Sequence, residues 1–139
     1  MSLDQLSKEL LNISQRIESG EKTKKFLKSA AKKLKKKTVK VAKSRVGKVT
    51  GNYERGIKDG KVYKYDGNYS CRVYSKMSHA HLIEYGHIIV GKDGKEKGFK
   101  SGYHVFESAA EEFQDDYEND VEKFIDEIIG ELWLVMRIY

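Results

Sequence analysis

The stretch SHAHLIEYGH, residues 78–87, concentrates side chains that bind metals or transfer protons in an otherwise lysine-rich chain. His79 and His81 are two residues apart, a spacing at which side chains share one face of a strand, and Glu84 follows closely. Imidazole and carboxylate groups are common zinc ligands and common general acids and bases. The stretch therefore raises the hypothesis of an enzyme or metal site centred on His79, His81 and Glu84.

The rest of the sequence weakens that hypothesis. It has no HExxH motif, and its single cysteine, Cys71, cannot supply the thiolate pair of a structural zinc site. No serine stands in the glycine-bounded pattern of a hydrolase nucleophile elbow. We therefore expect no catalytic residue, no metal and no cofactor. We expect Glu84 to accept backbone N–H bonds, or to bind an arginine, just before a turn at Gly86.

The composition indicates a single domain over residues 1–139. Hydrophobic residues make up 39% of the chain, and nine tyrosines and five phenylalanines supply large side chains for a core. The lone cysteine excludes an internal disulfide and is typical of a reducing compartment. The N-terminus lacks a signal-peptide pattern, and no apolar run approaches the roughly 20 residues of a membrane span. We expect a soluble intracellular protein with no membrane contact.

Residues 2–46 are predicted to be helical, in two segments. Apolar residues recur every three or four positions along the first segment, which is the pattern of one helix face. Ser2 and Gln5 have the spacing of a capping box at its start. The second helix is predicted over residues 21–46 and ends before Gly47.

Residues 47–104 are predicted to form an antiparallel sheet of three or four strands. Helical spacing disappears there, and β-forming residues cluster in three runs. These runs are residues 61–65, 69–76 and 87–90. Asp66-Gly67, between the first two runs, is a signal for a two-residue hairpin turn. The glycine-rich and lysine-rich segment 91–102 is predicted to be a mobile loop, with Asp93-Gly94 at its tip.

Helical spacing returns at residues 105–132, and the strongly apolar tail 133–139 follows. An exposed tail of this kind would be adhesive, so we expect it to pack on the sheet or on a neighbouring subunit. The order of elements predicts an α+β fold. In this fold two N-terminal helices precede the antiparallel sheet, and one long C-terminal helix packs on the sheet.

Charge is separated along the chain, although the net charge is only +6. Residues 22–48 contain twelve lysines and one arginine, whereas residues 107–131 contain eleven acidic residues and one lysine. Six lysines of the second helix, here called the lysine face, lie opposite its apolar residues: Lys25, Lys28, Lys32, Lys36, Lys40 and Lys43. Lysines four residues apart repel each other by about 0.2–0.5 kcal/mol per pair, which favours an external anion.

Three anions are compatible with the lysine face: a nucleic acid, the acidic segment of this chain or of a neighbour, and bulk counter-ions. No aromatic residue interrupts the lysine face, and arginines that could read base edges are missing from it. Any contact with DNA is therefore expected to involve phosphates, without sequence-specific readout. The sequence leaves the choice among the three anions open.

Three segments, in order, resemble motifs of one known family. HAHLIEYGH, residues 79–87, is similar to the Y-A-x-x-v-E-y-G-T segment of the small tail-completion, or head–tail joining, proteins of long-tailed phages and prophages. Upstream, VTGNYERGIK, residues 49–58, resembles the family's TG-x-L-x-x-S-I element. Downstream, YHVFESAAEEF, residues 103–113, resembles its xPFLxPA entry into the last helix, although this chain has no proline.

The resemblance implies a structural virion protein at the head–tail junction, with no catalytic activity. Such a subunit acts where a finished tail meets the capsid connector, as one copy in an oligomeric ring. The implied partners are other copies of itself and connector or tail-tube proteins, with non-specific contact to phage DNA as a further option. The implied location is the neck or tail of the virion, and the host cytoplasm during assembly. The motif residues with implied structural roles are Thr50, Gly51, Tyr53, Ile57, Glu84, Tyr85, Gly86, Phe106 and Ala109.

The main alternative to this interpretation is a non-specific DNA-binding module that uses the lysine-rich helix 22–48. It predicts duplex binding that weakens steeply with salt, because each neutralised phosphate releases a counter-ion. The enzyme centred on the histidine stretch remains a third hypothesis.

Overall fold

The computed structural model describes residues 2–18, 20–46 and 51–138. Gly47 and Thr50, which the sequence analysis singled out, lie outside the described residues. The helices, in chain order, are α1 (Leu3–Glu18), α2 (Glu21–Arg45), α3 (Asn52–Arg55), α4 (Ala80–Tyr85) and α5 (Val105–Ile138). The strands are β1 (Ile57–Asp59), β2 (Tyr63–Tyr65), β3 (Asn68–Ser70), β4 (Val73–Ser75), β5 (Gly86–Val90) and β6 (Glu96–Ser101). The fold is α+β, as predicted.

The chain forms two compact units. The first contains Met1–Ala30, Lys61–Cys71 and Gln114–Tyr139, and the second contains Ala31–Gly60 and Arg72–Phe113. Two of the four boundaries fall inside α2 and inside α5, so each of these long helices contributes residues to both units.

In the first unit, aromatic residues of α2 and α5 pack against each other. The Phe26 ring stacks on Phe124 with 4.6 Å between ring centroids, and it lies 6.1 Å from the ring of Tyr117. At the start of α1 the predicted capping box is confirmed. The Gln5 N–H donates to Ser2 Oγ at 3.3 Å, and the Ser2 N–H donates to Gln5 Oε1 at 3.2 Å.

The second unit holds a small core built from four different elements. Its buried members are Val41, Ala42, Tyr53, Ile57, Val105 and Ala109. The first turns of α5 therefore pack on α2, on α3 and on strand β1, which is the predicted arrangement of the last helix against strands. Val105 and Ala109 are four residues apart and fully buried, because this spacing places both on one face of the helix.

The strands form three two-stranded antiparallel ribbons within the described residues, where the sequence predicted one sheet of three or four strands. β1 pairs with β4, β2 with β3, and β5 with β6. The predicted strand 69–76 is divided into β3 and β4. β3 pairs with β2 and β4 pairs with β1, and the registers of the two pairings differ by one residue. The predicted hairpin turn is confirmed, since Asp66 and Gly67 both have positive φ and join β2 to β3.

β5 and β6 form the longest ribbon. Its pairing runs from Gly86 opposite Ser101 to Val90 opposite Glu96, with a bulge next to Val90. The predicted tip is confirmed: Gly94 has a φ of 78°, and the Gly91 N–H donates to the Lys95 carbonyl at 2.9 Å. Half of the segment predicted to be a mobile loop, 91–102, therefore belongs to strand β6.

The last helix is longer than predicted. α5 continues to Ile138, so residues 133–138 extend this helix instead of forming a separate tail, and Tyr139 lies outside the described residues. The sequence offers no proline to end it earlier, and a glycine such as Gly130 weakens a helix without breaking it. Trp133 and Leu134 are exposed, so these two side chains do not pack on a sheet. None of the helices in the described ranges combines the length and the apolarity that crossing a membrane requires.

Candidate functional site

The centre of the histidine stretch forms a junction between α4 and the start of α5. Glu84 is 7% exposed, and its carboxylate accepts the backbone N–H of Phe106 at 2.9 Å and that of Glu107 at 3.1 Å. The first N–H groups of a helix have no partner within the helix, and a carboxylate there also faces the positive end of the helix dipole. Glu84 therefore caps α5 from a distant position in the chain.

The backbone of the junction is also paired. The Tyr103 N–H donates to the Ile83 carbonyl at 2.8 Å, and the His104 N–H donates to the Glu84 carbonyl at 3.1 Å. Gly102 allows this approach, because a Cβ at that position would overlap the carbonyl group of Glu84 and lie 2.6 Å from the Gly86 nitrogen. The two segments can therefore meet only with glycine at position 102.

Gly86 forms the turn that the sequence predicted next to this junction. Its φ is 94°, a conformation that L-residues rarely adopt, and it is the residue at which α4 ends and β5 begins. The turn thus redirects the chain immediately after Glu84 and Tyr85.

Tyr53, from α3, lies in the core of the same unit. Burial raises the pKa of Tyr53 to about 12, and the negative charge of Glu84 adds to the increase. Within the described part of the chain its buried hydroxyl has no hydrogen-bond partner. The phenol therefore stays protonated at neutral pH and fills space in the core.

The structure brings most of the motif residues together around the start of α5. Tyr53, Ile57 and Ala109 share one core, Phe106 packs against that core, and Glu84 bonds to the Phe106 backbone. Gly51 has a φ of 71° at the start of α3, as a turn before that helix requires. Tyr85 is different, because its side chain is 68% exposed and belongs to the surface.

The residues of the enzyme hypothesis differ in their surroundings. His79 and His81 are exposed on the first turn of α4, whereas the Glu84 carboxylate faces the start of α5. They do not share a strand face, because residues 80–85 are helical.

Within the described ranges, the group of possible metal ligands whose ligand atoms lie within 4.8 Å of one another is Glu84, His104 and Glu107. His104 Nδ1 lies 3.0 Å from Glu107 Oε2, and both oxygens of Glu84 accept backbone bonds, so helix capping accounts for this cluster.

Sequence reasoning missed two residues of the junction, His104 and Arg45. Arg45 Nη1 donates to the Tyr103 carbonyl at 3.1 Å and to Ser108 Oγ at 2.6 Å, which ties the end of α2 to the start of α5. The sequence signal for Arg45 was its place as the one arginine at the end of a lysine run. The signal for His104 was its spacing of three residues from Glu107 at a helix start.

The lysine face of α2 points mostly toward solvent. Five of its six members are exposed: Lys25, Lys32, Lys36, Lys40 and Lys43. Lys25 forms an ion pair with Glu21 of the same helix at 3.6 Å, and Lys28 is partly buried. A positive surface thus extends along the helix, where an anion could bind.

Other lysines of α2 pair with the acidic helix α5 inside the chain. In the first unit Lys22 forms an ion pair with Glu131, and this contact lowers the pKa of the Glu131 carboxyl. In the second unit Lys37 Nζ lies 3.5 Å from Glu112 Oε2. The acidic segment is therefore a partner of the basic helix, through lysines outside the lysine face.

Each unit also exposes large apolar side chains. In the second unit Ile88, Val90 and Phe99 of the β5–β6 ribbon are between 53 and 62% exposed. In the first unit Ile125, Ile129 and Trp133 of α5 are between 47 and 61% exposed. Several exposed apolar residues on one element are typical of a surface that binds another protein.

Comparison with known families supports a phage origin. A family model described as "Bacteriophage HK97-gp10, putative tail-component" matches residues 4–86, which is more than half of the chain. The chain belongs to this HK97-gp10-like family. Neither the search of curated proteins nor the search of solved structures found a match.

Membership of the HK97-gp10-like family agrees with the resemblance read from the sequence. The match includes the 49–58 segment and all but the last residue of the 79–87 segment, and it ends at Gly86, so the motif at 103–113 lies beyond it. Membership supports a structural role in a phage tail, a location in the virion and contact with other phage structural proteins.

Proposed function

We propose that the protein is a head–tail joining subunit, whose copies assemble into a ring and connect a finished tail to the capsid connector. The family match over residues 4–86 is the observation that carries this proposal. The exposed apolar residues of both units and the separation of charge between α2 and α5 support it, because both features are suited to contacts between subunits.

In this role the protein works through complementary surfaces and has no catalytic turnover. The exposed lysines of α2 and the acidic residues of α5 would attract each other across a contact between adjacent copies. Such a contact joins two different surfaces, and contacts of that kind close into rings when the rotation between copies is suitable. The ion pairs of Lys22 and Lys37 with α5 show that the two helices already carry compatible charges.

The proposal is tested with the full-length protein in solution. We expect sedimentation velocity to show a closed oligomer at high concentration, and we expect the protein to bind purified connector or tail-tube protein of its own phage. A chain that remains monomeric at its highest soluble concentration, and that binds neither component, would contradict the proposal.

A second candidate function is non-specific binding of DNA by the lysine face, favoured by the exposure of five of its members. A variant with Lys32, Lys36 and Lys40 changed to Gln should then lose most duplex binding at low salt, and the slope of log affinity against log salt should fall by about 0.9 for each lost phosphate contact. Its control replaces three exposed lysines outside α2, Lys8, Lys61 and Lys76, by Gln. Equal binding by both triple variants, or no binding by the native chain, would remove this candidate.

The proposal that the protein is no enzyme has its own test. We expect the double variant His79→Ala/His81→Ala to assemble and to bind its partners like the native chain. We also expect elemental analysis of the purified protein to find no stoichiometric metal at Glu84, His104 and Glu107. One bound metal ion per chain, lost in a His104→Ala variant, would contradict this expectation.

A further inference from the structure

The β5–β6 ribbon presents an apolar surface on one face. Ile88 stands directly opposite Phe99 in the ribbon, and Val90 is two residues further along β5, so the three side chains share that face. We call these three residues the hairpin surface. Within the described residues the ribbon has only two strands, and an isolated two-stranded hairpin is marginally stable in water, so a partner on this face would stabilise it.

The surroundings of the hairpin surface are basic. Residues 86–101 contain four lysines and two acidic residues. Lys97 pairs with Asp93 at 3.3 Å, while Lys92 and Lys95 stand exposed at the tip. A partner of this surface should therefore combine apolar side chains with negative charge.

The end of α5 has those properties. Ile125, Ile129 and Trp133 are spaced four residues apart, so they form one exposed line along the helix. Glu118, Glu122 and Asp126 have the same spacing and fall on the same side of the helix, where all three are exposed. We call these six residues the α5 stripe. Residues 118–134 contain six acidic residues and one lysine.

We infer that the hairpin surface of one copy docks on the α5 stripe of a second copy. This inference rests on the proposed self-assembly and adds a pair of apolar surfaces to the attraction between the α2 lysines and the α5 acids. Apolar residues on both sides supply the buried area, and the lysines of the hairpin face the acids of the stripe. Because the two surfaces differ, every copy has one free surface of each kind, and the contact can repeat around a ring.

The charges argue against the simpler arrangement in which like surfaces meet. Two hairpins brought face to face would place two lysine-rich tips together, and two stripes would place two acidic helices together. Like charges across a contact are unfavourable, whereas opposite charges select the correct partner and accelerate association. The mixed contact is the one in which apolar and charged groups both match.

Two double variants test the contact, and each damages one surface only. Ile88→Thr/Phe99→Thr removes the hairpin surface and keeps residues that favour strands. Ile125→Gln/Ile129→Gln removes the middle of the α5 stripe and keeps residues that favour helices. Leu11→Gln is the matched control, because Leu11 is an exposed apolar residue of α1 outside both surfaces. Circular dichroism and urea unfolding first establish that all variants are folded.

Sedimentation velocity then measures the concentration at which each variant assembles. We expect each double variant alone to need at least about tenfold higher concentration than the native chain to assemble. We expect an equimolar mixture of the two to form a one-to-one dimer, because an intact hairpin surface then meets an intact stripe. Leu11→Gln should assemble like the native chain.

The remaining outcomes separate this inference from the proposed function. If both double variants assemble like the native chain, the named surfaces are wrong while ring assembly stands. If only the hairpin variant fails and the mixture forms no dimer, the contact joins like surfaces and the inference is overturned. If the native chain itself never associates, the proposed self-assembly fails and this inference fails with it.

Discussion

Replacing Glu84 by alanine should destabilise the second unit through the start of α5. The carboxylate of Glu84 accepts two backbone bonds there, at 2.9 and 3.1 Å. A hydrogen bond to a charged group contributes about 1.5–3 kcal/mol, and loss of a helix cap alone costs about 1 kcal/mol. Both donors lie where water can partly replace the lost acceptor, so we expect the free energy of unfolding to fall by about 2–4 kcal/mol.

Urea unfolding measures this loss. For a chain of this size an m value of about 2 kcal/mol/M converts the loss into a midpoint that is lower by about 1–2 M. Glu84→Gln keeps one acceptor oxygen but loses the charge, so it should fall between the native chain and Glu84→Ala. Hydrogen exchange provides a local measure, because the amides of Phe106 and Glu107 should exchange faster in both variants.

Glu111→Ala is the control for removing one negative charge from the same region. Glu111 is exposed on α5, just past its first turn, and a substitution there should change stability by no more than about 0.5 kcal/mol. A Glu84→Ala variant that unfolds at the native midpoint, or whose two amides exchange at native rates, would show that the cap is unimportant.

Three further predictions concern Tyr53, the glycines and Lys22. Tyr53→Phe should be neutral or stabilising by up to about 1 kcal/mol at neutral pH, because it removes a buried hydroxyl with no partner in the described residues. The pKa of Tyr53 is raised from 10.0 to about 12 in the fold, so the free energy of unfolding of the native chain should fall by about 1 kcal/mol between pH 9 and pH 11. The variant should not show this fall, and urea unfolding at both pH values measures the difference. Gly102→Ala should lower the thermal midpoint strongly, since its Cβ would overlap backbone atoms, whereas Gly130→Ala has open space around its Cβ and should raise the midpoint slightly. Equal thermal midpoints for the two variants would contradict this steric reasoning. Lys22→Met should lower the free energy of unfolding at pH 7, because Lys22 lowers the pKa of Glu131 and stabilises its carboxylate. The difference in stability between variant and native chain should disappear as the pH falls below 4.5, the ordinary pKa of this carboxyl, and the carboxylate is protonated. A stability difference that does not change with pH would refute this prediction.

The sequence predicted the elements whose signals are local. Helical spacing, the Ser2 capping box and the Asp66-Gly67 turn are set by neighbouring residues, and the structure confirms all three. The division of the predicted strand 69–76 was not predictable in this way. It depends on a one-residue difference in register between two ladders, and these ladders exist only after the chain has folded.

At the candidate site, too, the sequence predicted what local signals determine and missed what depends on distant contacts. An acceptor role for Glu84 followed from its place before a glycine turn, but its partners are more than twenty residues away along the chain. The six-residue helix α4 was missed, because HLIEY stands beside β-forming residues and a helix that short depends on tertiary contacts. His104 and Arg45 were missed for a related reason, since only the fold brings them to the start of α5.

The long-range cap has a consequence for experiments on fragments. The family-matched segment ends at Gly86, two residues after Glu84, whereas the amides that Glu84 binds and two buried side chains of the same core belong to α5. A protein truncated at residue 86 would lack the amides that bind the Glu84 carboxylate and would expose the core residues Tyr53 and Ile57, which Val105 and Ala109 help to bury. The boundary of the conserved sequence pattern is therefore not a boundary of cooperative folding, and expression of residues 4–86 alone should yield an unfolded or aggregating product.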